Sequence, residues 1–184
     1  MPIQNVQDLC QAIDDGQRFK YLCFWGHTPK GNAITKAVFS QWWQRHPFEV
    51  DGVRYATAEH FMMAGKARLF EDHDALMDIL NAKHPNEAKK IGRRVRNFDN
   101  AAWEAHRMQI VIDGNTAKFG QHPELKTFLL GTGNRILVEA SPRDRIWGIG
   151  YAEKDPQALN PHQWNGLNLL GFALMTTRWS LGRP

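Results

Sequence analysis

Short apolar runs of strand length are separated by longer amphipathic segments along this chain. Two of them, "YLCFWG" (21–26) and the run at 136–138, predict buried strands. The stretch "FEVDGVRY" (48–55) places two β-prone runs around Asp51-Gly52, a pair that suits the positive φ angles of a tight hairpin turn. The pattern therefore predicts a small sheet of undetermined strand order and a hairpin.

Helical patterns dominate the remainder. Thr57 is a suitable N-cap for a helix over 58–70, and Pro85 suits the first turn of a helix over 85–95. Further helices are predicted over residues 4–15, 74–82, 101–119, 123–130 and 166–180. The last of these is apolar on most sides, so we expect it to be buried.

Length and composition limit the class of protein. The 184 residues suffice for one domain with a substantial core. We predict an α+β fold, a single, mainly helical domain over residues 1–184 with a small β-sheet or hairpin, in which residues 1–20 form an N-terminal helical extension. The net charge of +4 favours phosphate-bearing partners but does not establish nucleic-acid binding.

The compartment is predicted from what the sequence lacks. The two cysteines have no metal-type spacing, and no stretch reaches the roughly 20 apolar residues of a membrane helix. The first residues are polar and acidic, unlike a signal peptide. We therefore expect a cytoplasmic protein with reduced thiols and no membrane partner.

The helix predicted over 58–70 carries a carboxylate and an amine among apolar residues. Glu59 and Lys66 lie seven residues apart, so they share one helical stripe at roughly 10 Å along the axis. Ionisable groups on an apolar helix are candidates for buried groups with shifted pKa values. In the purely structural alternative, Glu59 complements the helix N-terminus and Lys66 extends to water.

The stretch "EASPRDRIWGIG" (139–150) places charged residues directly after a core strand. Glu139 and Asp144 together with Trp147 suit acid–base chemistry on a sugar that carries a planar base, and Gly148 permits close approach of a ligand. In the structural alternative, Asp144 caps a turn and Trp147 belongs to the core. These residues alone leave both interpretations open.

Several other chemistries find no support. The eight histidines form no metal-type cluster, so we predict no metal site, and no nucleophile-elbow motif is present. The densest basic run, Lys89 to Arg96, covers one broad helical face, which is typical of a solvated surface. "NGLNLLG" (165–171) lacks the spacing of a phosphate-binding glycine motif, and its glycines favour helix packing.

Four stretches together resemble the YbiA-like family, also called the NADAR superfamily. They are "FEVDGVRYATAEHFMMAGKARLF" (48–70), "AHRMQIVIDGNTAKFGQHPELKTFLLGTG" (105–133), "ILVEASPRDRIWGIG" (136–150) and "WNGLNLLGFALMTTR" (164–178). The resemblance covers roughly residues 21–180. The residues in register are Glu59, Lys66, Glu139, Asp144, Trp147 and Gly171.

This resemblance implies a hydrolase, an N-glycosidase acting on phosphate-bearing ribosides without a cofactor. Two substrate classes go with the family: phosphoribosylamino-pyrimidine intermediates of riboflavin biosynthesis, and ADP-ribose attached to guanine bases of nucleic acid. The family's lysine, matching Lys66, traps the sugar as a Schiff base. The acidic positions, matching Glu59, Glu139 and Asp144, handle protons and ribose hydroxyls.

The substrate contacts are predicted from the chemistry. Trp147 and Trp25 are candidates for stacking on a base, and backbone amides near Gly26 are candidates for holding phosphate. Lys30 or Arg54 supplies a positive charge. We expect Glu139 and Asp144 to face Lys66, and we expect burial to lower the pKa of Lys66 more than a nearby carboxylate raises it.

Two alternatives from other classes remain. One is a non-catalytic module that binds ADP-ribose or NAD, which the Lys66 and carboxylate set argues against. The other is a nucleic-acid-binding structural protein based on Lys89 to Arg96. The segment "FWGHTPKGNAITKAVFSQWW" (24–43) and the loop at 151–163 are longer than the riboflavin-type pattern, which weakens a direct transfer of the riboflavin assignment.

Overall fold

The computed structural model describes residues 3–28, 31 and 33–183. Its helices and strands are, in chain order, α1 (Val6–Asp14), β1 (Tyr21–Phe24), β2 (Phe48–Val50), β3 (Val53–Tyr55), α2 (Ala58–Leu69), α3 (His73–Asn81), α4 (Pro85–Gly92), α5 (Asn100–Gln121), α6 (Pro123–Leu130), β4 (Ile136–Glu139) and α7 (Leu169–Leu181). Short 3₁₀ helices cover Lys36–Phe39, Pro156–Leu159 and Pro161–Gln163.

The chain divides into two compact units. The terminal unit comprises Met1–Ser40 and Pro123–Pro184, and the central unit comprises Gln41–His122. Each unit has its own small sheet and its own packed helices.

A parallel pair of strands lies at the core of the terminal unit. β1 and β4 pair in register from Tyr21 with Ile136 to Phe24 with Glu139. The first three residues of β4 are buried, as expected for a continuous apolar run. α7 packs against β4 and is buried over most of its length. α1 belongs to this unit as well, since Leu9 is fully buried and the helix contacts Pro161–Gln163.

The start of α7 differs from the prediction. The helix begins at Leu169 and not at residue 166, because Asn168 adopts a left-handed conformation with φ of 51° that cannot continue a right-handed helix. Gly171 explains the close packing behind it: a Cβ there would lie 2.1 Å from the carbonyl oxygen of Leu137. Only glycine lets α7 approach β4 this closely.

Four helices and a hairpin build the central unit. β2 and β3 are antiparallel, and Asp51 and Gly52 both have positive φ, as the hairpin prediction requires. α2 packs against α3, α4 and α5. Glycines allow its contact with α5, since a Cβ on Gly65 would lie 2.7 Å from Ile110, and one on Gly114 would lie 2.6 Å from Phe61.

The predicted fold class is confirmed: the structure is a mainly helical α+β protein with small sheets. Thr57 caps α2 by accepting a hydrogen bond from the His60 amide, as predicted. α4 ends at Gly92, three residues before the predicted end. In the part of the chain that the structure describes, no helix has both the length and the apolar character needed to cross a lipid bilayer.

Candidate functional site

Glu59 lies in the first turn of α2 but is buried. Its residue is only 2 % exposed, and its backbone amide donates a hydrogen bond to the Gln41 carbonyl. α2 is buried on nearly all sides from Ala58 to Ala64, so a carboxylate at this position is removed from water. A solvated carboxylate that only complements the helix N-terminus does not match this burial.

The amine of Lys66 is half-buried and surrounded by neutral groups. Its Nζ donates a 2.8 Å hydrogen bond to the carbonyl of Gly92, at the C-terminus of α4. The same nitrogen lies 4.1 Å from the ring centroid of Phe98 and 5.6 Å from that of Trp103. Within the described residues no carboxylate forms an ion pair with it. Lys66 is therefore anchored, and does not simply extend to water.

Two opposing effects act on the charge of Lys66. Burial lowers the pKa of Lys66 below its ordinary value, which is the direction predicted from the sequence. The Gly92 carbonyl and the two aromatic rings favour the ammonium form. No carboxylate contributes to the pKa shift, so the carboxylate effect expected from the sequence is not found. The neutral amine forms when the ammonium group loses a proton, and burial of the amine favours that loss.

A second lysine of the central unit was not predicted from the sequence as a candidate functional residue. Lys118 on α5 is fully buried, and burial lowers the pKa of Lys118 to about 7. Asn115, one turn earlier, is also fully buried; its Oδ1 accepts a 3.2 Å hydrogen bond from Gln41. The available signal was the spacing of Asn115 and Lys118 among the buried positions Val111, Gly114 and Phe119.

His60 on α2 is a further buried ionisable residue of the central unit. Its Nδ1 lies 2.7 Å from the hydroxyl of Thr57 and its Nε2 lies 3.0 Å from the carbonyl of Ala82. Since a carbonyl only accepts, Nε2 carries the hydrogen and Nδ1 accepts from Thr57. Burial lowers the pKa of His60. His60 thus joins α2 to the end of α3 as a neutral ring.

In the terminal unit, Glu139 is fixed by its backbone. Its amide donates a 2.9 Å hydrogen bond to Oδ1 of Asn168, whose Nδ2 donates a 2.9 Å bond to the carbonyl of Leu137. The carbonyl of Glu139 accepts from the amide of Ile149. These bonds hold the end of β4 and the 141–150 loop as one piece. Asn168 was not identified from the sequence, because a side chain acting as a peptide group has no local sequence signal.

Asp144 organises the loop after β4. Its Oδ1 accepts hydrogen bonds from the amides of Ile146 and Trp147, at 2.9 and 2.8 Å, and its own amide donates to Ser141. Asp144 therefore caps a turn, as the structural alternative proposed. Its Oδ2 forms no hydrogen bond with the described residues. Trp147 is half-buried and so is not a core residue.

Gly148 has a structural reason for lacking a side chain. A Cβ there would lie 2.8 Å from the carbonyl oxygen of Glu139 and 2.9 Å from that of Asp144. Gly166 is equally constrained, since its Cβ would lie 2.2 Å from the carbonyl oxygen of Gly148. Backbone packing within the unit therefore explains both glycines, and the substrate role predicted for Gly148 stays a prediction.

The remaining predicted contacts are scattered. Trp25 is 58 % exposed directly after β1, and Gly26 follows with a φ of 84°. Arg54 is exposed on β3, opposite Glu49. Lys30 lies outside the described residues. The substrate-binding roles predicted for these residues stay predictions.

The basic run 89–96 does not form a uniform cationic face. Arg96 binds Asp72 and Asp74 at 2.6 and 2.7 Å, and these contacts hold the pKa of Asp72 well below its usual range. Lys89 lies 5.7 Å from the ring centroid of Trp42. Arg93 and Arg94 are exposed. The mixed pattern agrees with a solvated surface.

The structure thus forms two groups of candidate residues. Glu59 and Lys66 share α2 of the central unit, whereas Glu139, Asp144, Trp147 and Gly148 share one strand and loop of the terminal unit. The prediction that the two groups face each other stays a prediction. A buried carboxylate and an amine surrounded by neutral groups, both on one helix, are typical of an enzyme that uses acid–base or covalent chemistry.

Comparisons with known proteins give the class. The chain is 40 % identical over 163 residues to an N-glycosidase of Acanthamoeba polyphaga mimivirus, covering 86 % of this chain and 95 % of the viral protein. It is 33 % identical over 143 residues to N-glycosidase YbiA of Escherichia coli (strain K12), covering 78 % of each. These relatives are hydrolases of N-glycosyl bonds, and the predicted enzyme class is confirmed.

The family follows from the same comparisons. The model of the NADAR domain matches residues 23–182, and the NMR structure of E. coli YbiA superposes with a TM-score of 0.68 at 27 % identity, covering 90 % of this chain and 86 % of that one. The chain belongs to the NADAR family. A chloroplastic riboflavin biosynthesis protein of maize is 33 % identical over 135 residues, which span 70 % of this chain but 20 % of the maize protein.

Proposed function

We propose that this protein hydrolyses the N-glycosidic bond of a phosphate-bearing riboside with Lys66 as the nucleophile. The supporting observation is the setting of the Lys66 amine: half-buried, in contact with one carbonyl and two rings, and without a carboxylate partner among the described residues. Removal from water favours the neutral amine. A neutral amine is the form that attacks carbon.

The covalent step is written for the anomeric carbon of the ribose. The lone pair of the Lys66 amine forms a bond to C1′ while the bond from C1′ to the base nitrogen breaks, and its electron pair leaves with the base. A carboxylic acid donates a proton to that nitrogen. The amine then loses a proton, and its lone pair forms a C=N bond to C1′ while the bond from C1′ to O4′ breaks. The electron pair of that bond stays on O4′, which takes up a proton, so that the ribose opens and an iminium forms. Water adds to C1′, and release of the sugar restores the amine.

The acidic residues receive complementary roles in this proposal. Glu59, buried on the same helix as Lys66, is the proposed proton donor. Glu139 and Asp144 stabilise positive charge on the sugar or bind its hydroxyls. For Asp144, the support is its Oδ2 atom, which the turn hydrogen bonds leave available.

The substrate class is part of the same proposal. Both ADP-ribose on guanine bases and phosphoribosylamino-pyrimidines present a phosphate and a planar base on a ribose. Trp147 and Trp25 are the proposed stacking residues. Trp147 is half-buried and Trp25 is exposed, so both rings have surface available to contact a base. Gly26, Gly148, Lys30 and Arg54 are the proposed phosphate-side contacts. No cofactor takes part in the step.

Parallel assays test the activity. The protein is incubated with guanine-ADP-ribosylated DNA and, separately, with the phosphoribosylamino-pyrimidine, and the released sugar phosphate is measured. Release from one substrate supports N-glycosidase activity and identifies the class. Binding without release from either would instead favour the non-catalytic module.

Borohydride trapping tests the nucleophile. Reduction during turnover is expected to attach the sugar covalently to the peptide that contains Lys66, as detected by mass spectrometry. Lys66→Arg keeps the charge but forms no imine, so it should give no adduct and no turnover. Lys89→Arg is the matched control, and it should behave like the wild type. An active, trappable Lys66→Arg protein rules out the covalent proposal.

A further inference from the structure

The terminal unit contains a cavity that none of the candidate catalytic residues lines. Its volume is about 630 Å³, within the roughly 300–1,000 Å³ range of ligand pockets. Apolar side chains form its walls, among them Phe19, Leu130, Ile136 and Met175. Ile136 begins β4 and Glu139 ends it, so the cavity lies at the opposite end of this strand, about 10 Å from Glu139.

Two arginines line the cavity. Arg178 is half-buried; its Nη1 donates to the hydroxyl of Thr132 and to the carbonyl of Arg135, at 2.7 and 2.9 Å. Burial and the nearby charge of Arg135 lower the pKa of Arg178. Arg183 is the second. The described residues that line the cavity include no carboxylate. Two guanidinium groups that line one cavity are suited to pair with an anion such as phosphate.

An exposed ring adjoins these charges. Trp179 lines the cavity and is 43 % exposed. The guanidinium carbon of Arg183 lies 3.7 Å from the centroid of its ring, a cation–π contact. The exposed part of the indole is suited to contact a planar group. Phe19 adds a further ring to the wall.

We propose that this cavity is a nucleotide-binding site. The planar base lies against Trp179 and the apolar wall, and the phosphate pairs with Arg178 and Arg183. The two arginines support phosphate binding, the exposed Trp179 ring supports contact with the base, and the volume of the cavity accommodates both groups. The proposal goes beyond the N-glycosidase function and does not depend on it.

Calorimetric titration tests the site with three probes. AMP contains the base and the phosphate, whereas adenosine and inorganic phosphate each contain one of them. We expect AMP to bind at least tenfold more tightly than either part. A short oligodeoxyadenylate with a 5′-phosphate distinguishes the source: equal affinity favours the end of a strand, and weaker affinity favours the free nucleotide.

Variants locate the binding. Trp179→Ala and Arg183→Ala should each weaken AMP binding about tenfold, while Arg183→Lys should retain part of it. Arg143→Ala, which removes an exposed arginine elsewhere in the same unit, is the matched control. Trp25→Ala changes an exposed proposed substrate contact and therefore reports AMP binding at that other site. Thermal melting of each variant checks that the fold is intact.

Three results would overturn the proposal. AMP fails to bind at millimolar concentration; adenosine or phosphate binds as tightly as AMP; or Trp25→Ala weakens binding while Trp179→Ala and Arg183→Ala do not. The last result places AMP at the proposed catalytic residues instead.

Discussion

Lys66 in the central unit and Asp144 in the terminal unit are both charged side chains anchored by backbone groups, but the consequences differ. The Lys66 amine contacts a carbonyl and two rings in a partly dry setting, where burial lowers its pKa. Asp144 accepts two amide hydrogen bonds in a turn. The first arrangement makes neutralisation of the side chain easier, and the second uses the side chain to shape a loop. The partners of a charged side chain therefore decide whether it is available for chemistry or holds a loop in place.

Lys66→Arg gives the largest expected effect on this comparison. We expect turnover to fall by more than about 1,000-fold, because a guanidinium cannot form the imine. The thermal midpoint should change little, since Lys66 is only half-buried and arginine can still donate to Gly92. Single-turnover assays and a melting curve measure the two effects separately. Near-normal turnover would remove Lys66 from the mechanism.

Asn168→Ala tests the anchoring in the terminal unit. The change leaves the Glu139 amide and the Leu137 carbonyl without their buried partner. The expected loss is about 2–4 kcal/mol of the free energy of unfolding, measured by urea denaturation. Asn165→Ala is the control, since Asn165 is exposed and bonds only to Tyr151 through its side chain. Equal losses in both variants would contradict the role of the Asn168 side chain in holding Leu137 and Glu139 of β4.

Asp144→Asn separates the loop role from chemistry. Asparagine retains the oxygen that accepts from Ile146 and Trp147, so we expect stability to change by less than about 0.5 kcal/mol. If the charge takes part in the reaction, turnover falls by about 100-fold. Asp144→Ala, which removes both, should lose stability as well. Full activity of the asparagine variant assigns Asp144 to the turn alone.

Lys118→Met sharpens the comparison between two lysines. Burial lowers the pKa of Lys118 to about 7, against about 10.4 in an unfolded chain. Between these values the unfolded chain binds more protons, so the Lys118 contribution makes the protein less stable as the pH falls from about 10.4 to about 7. The variant should flatten this slope in urea denaturation across that window. Lys66→Met should flatten it less, because Lys66 is only half-buried. An unchanged slope in Lys118→Met would contradict the buried charge.

Phe98→Leu has the smallest expected effect. It removes the ring 4.1 Å from the Lys66 amine while keeping an apolar side chain, so the ammonium loses about 0.5–2 kcal/mol of stabilisation. The pKa of Lys66 should fall, and the acidic limb of the pH–rate profile should move to lower pH. Phe70→Leu, whose ring packs on Phe98, should leave that limb in place.

The sequence predicted what depends on periodicity and local turns. The hairpin at Asp51-Gly52, the Thr57 cap and most helices are set by neighbours within four residues, so a single sequence contains their signal. The resemblance identified the family, and spacing placed Glu59 and Lys66 on one helix. Their burial follows from the packing of α2 against α3, α4 and α5, which periodicity only hints at.

What escaped prediction depends on contacts between distant residues. α7 begins later than predicted because Asn168 is left-handed. The side-chain oxygen of Asn168 accepts a hydrogen bond from the Glu139 amide on β4, 29 residues earlier in the sequence. No role is predicted for Lys118 from the sequence, because its burial depends on how α5 packs. The Gly92 carbonyl that holds Lys66 lies 26 residues away. Such pairings arise only when the chain is folded.

The hydrogen bonds from the Asn168 side chain to β4 also have a consequence for association between chains. Among the described strands, β4 pairs with β1 alone. On its other side, Asn168 and Ile149 occupy the Leu137 carbonyl and both backbone groups of Glu139. An open strand edge with free amides and carbonyls is a template for aggregation. One asparagine side chain and one loop amide thus satisfy backbone groups that a neighbouring chain would otherwise pair with, and the close packing of Gly171 against the Leu137 carbonyl covers the same edge.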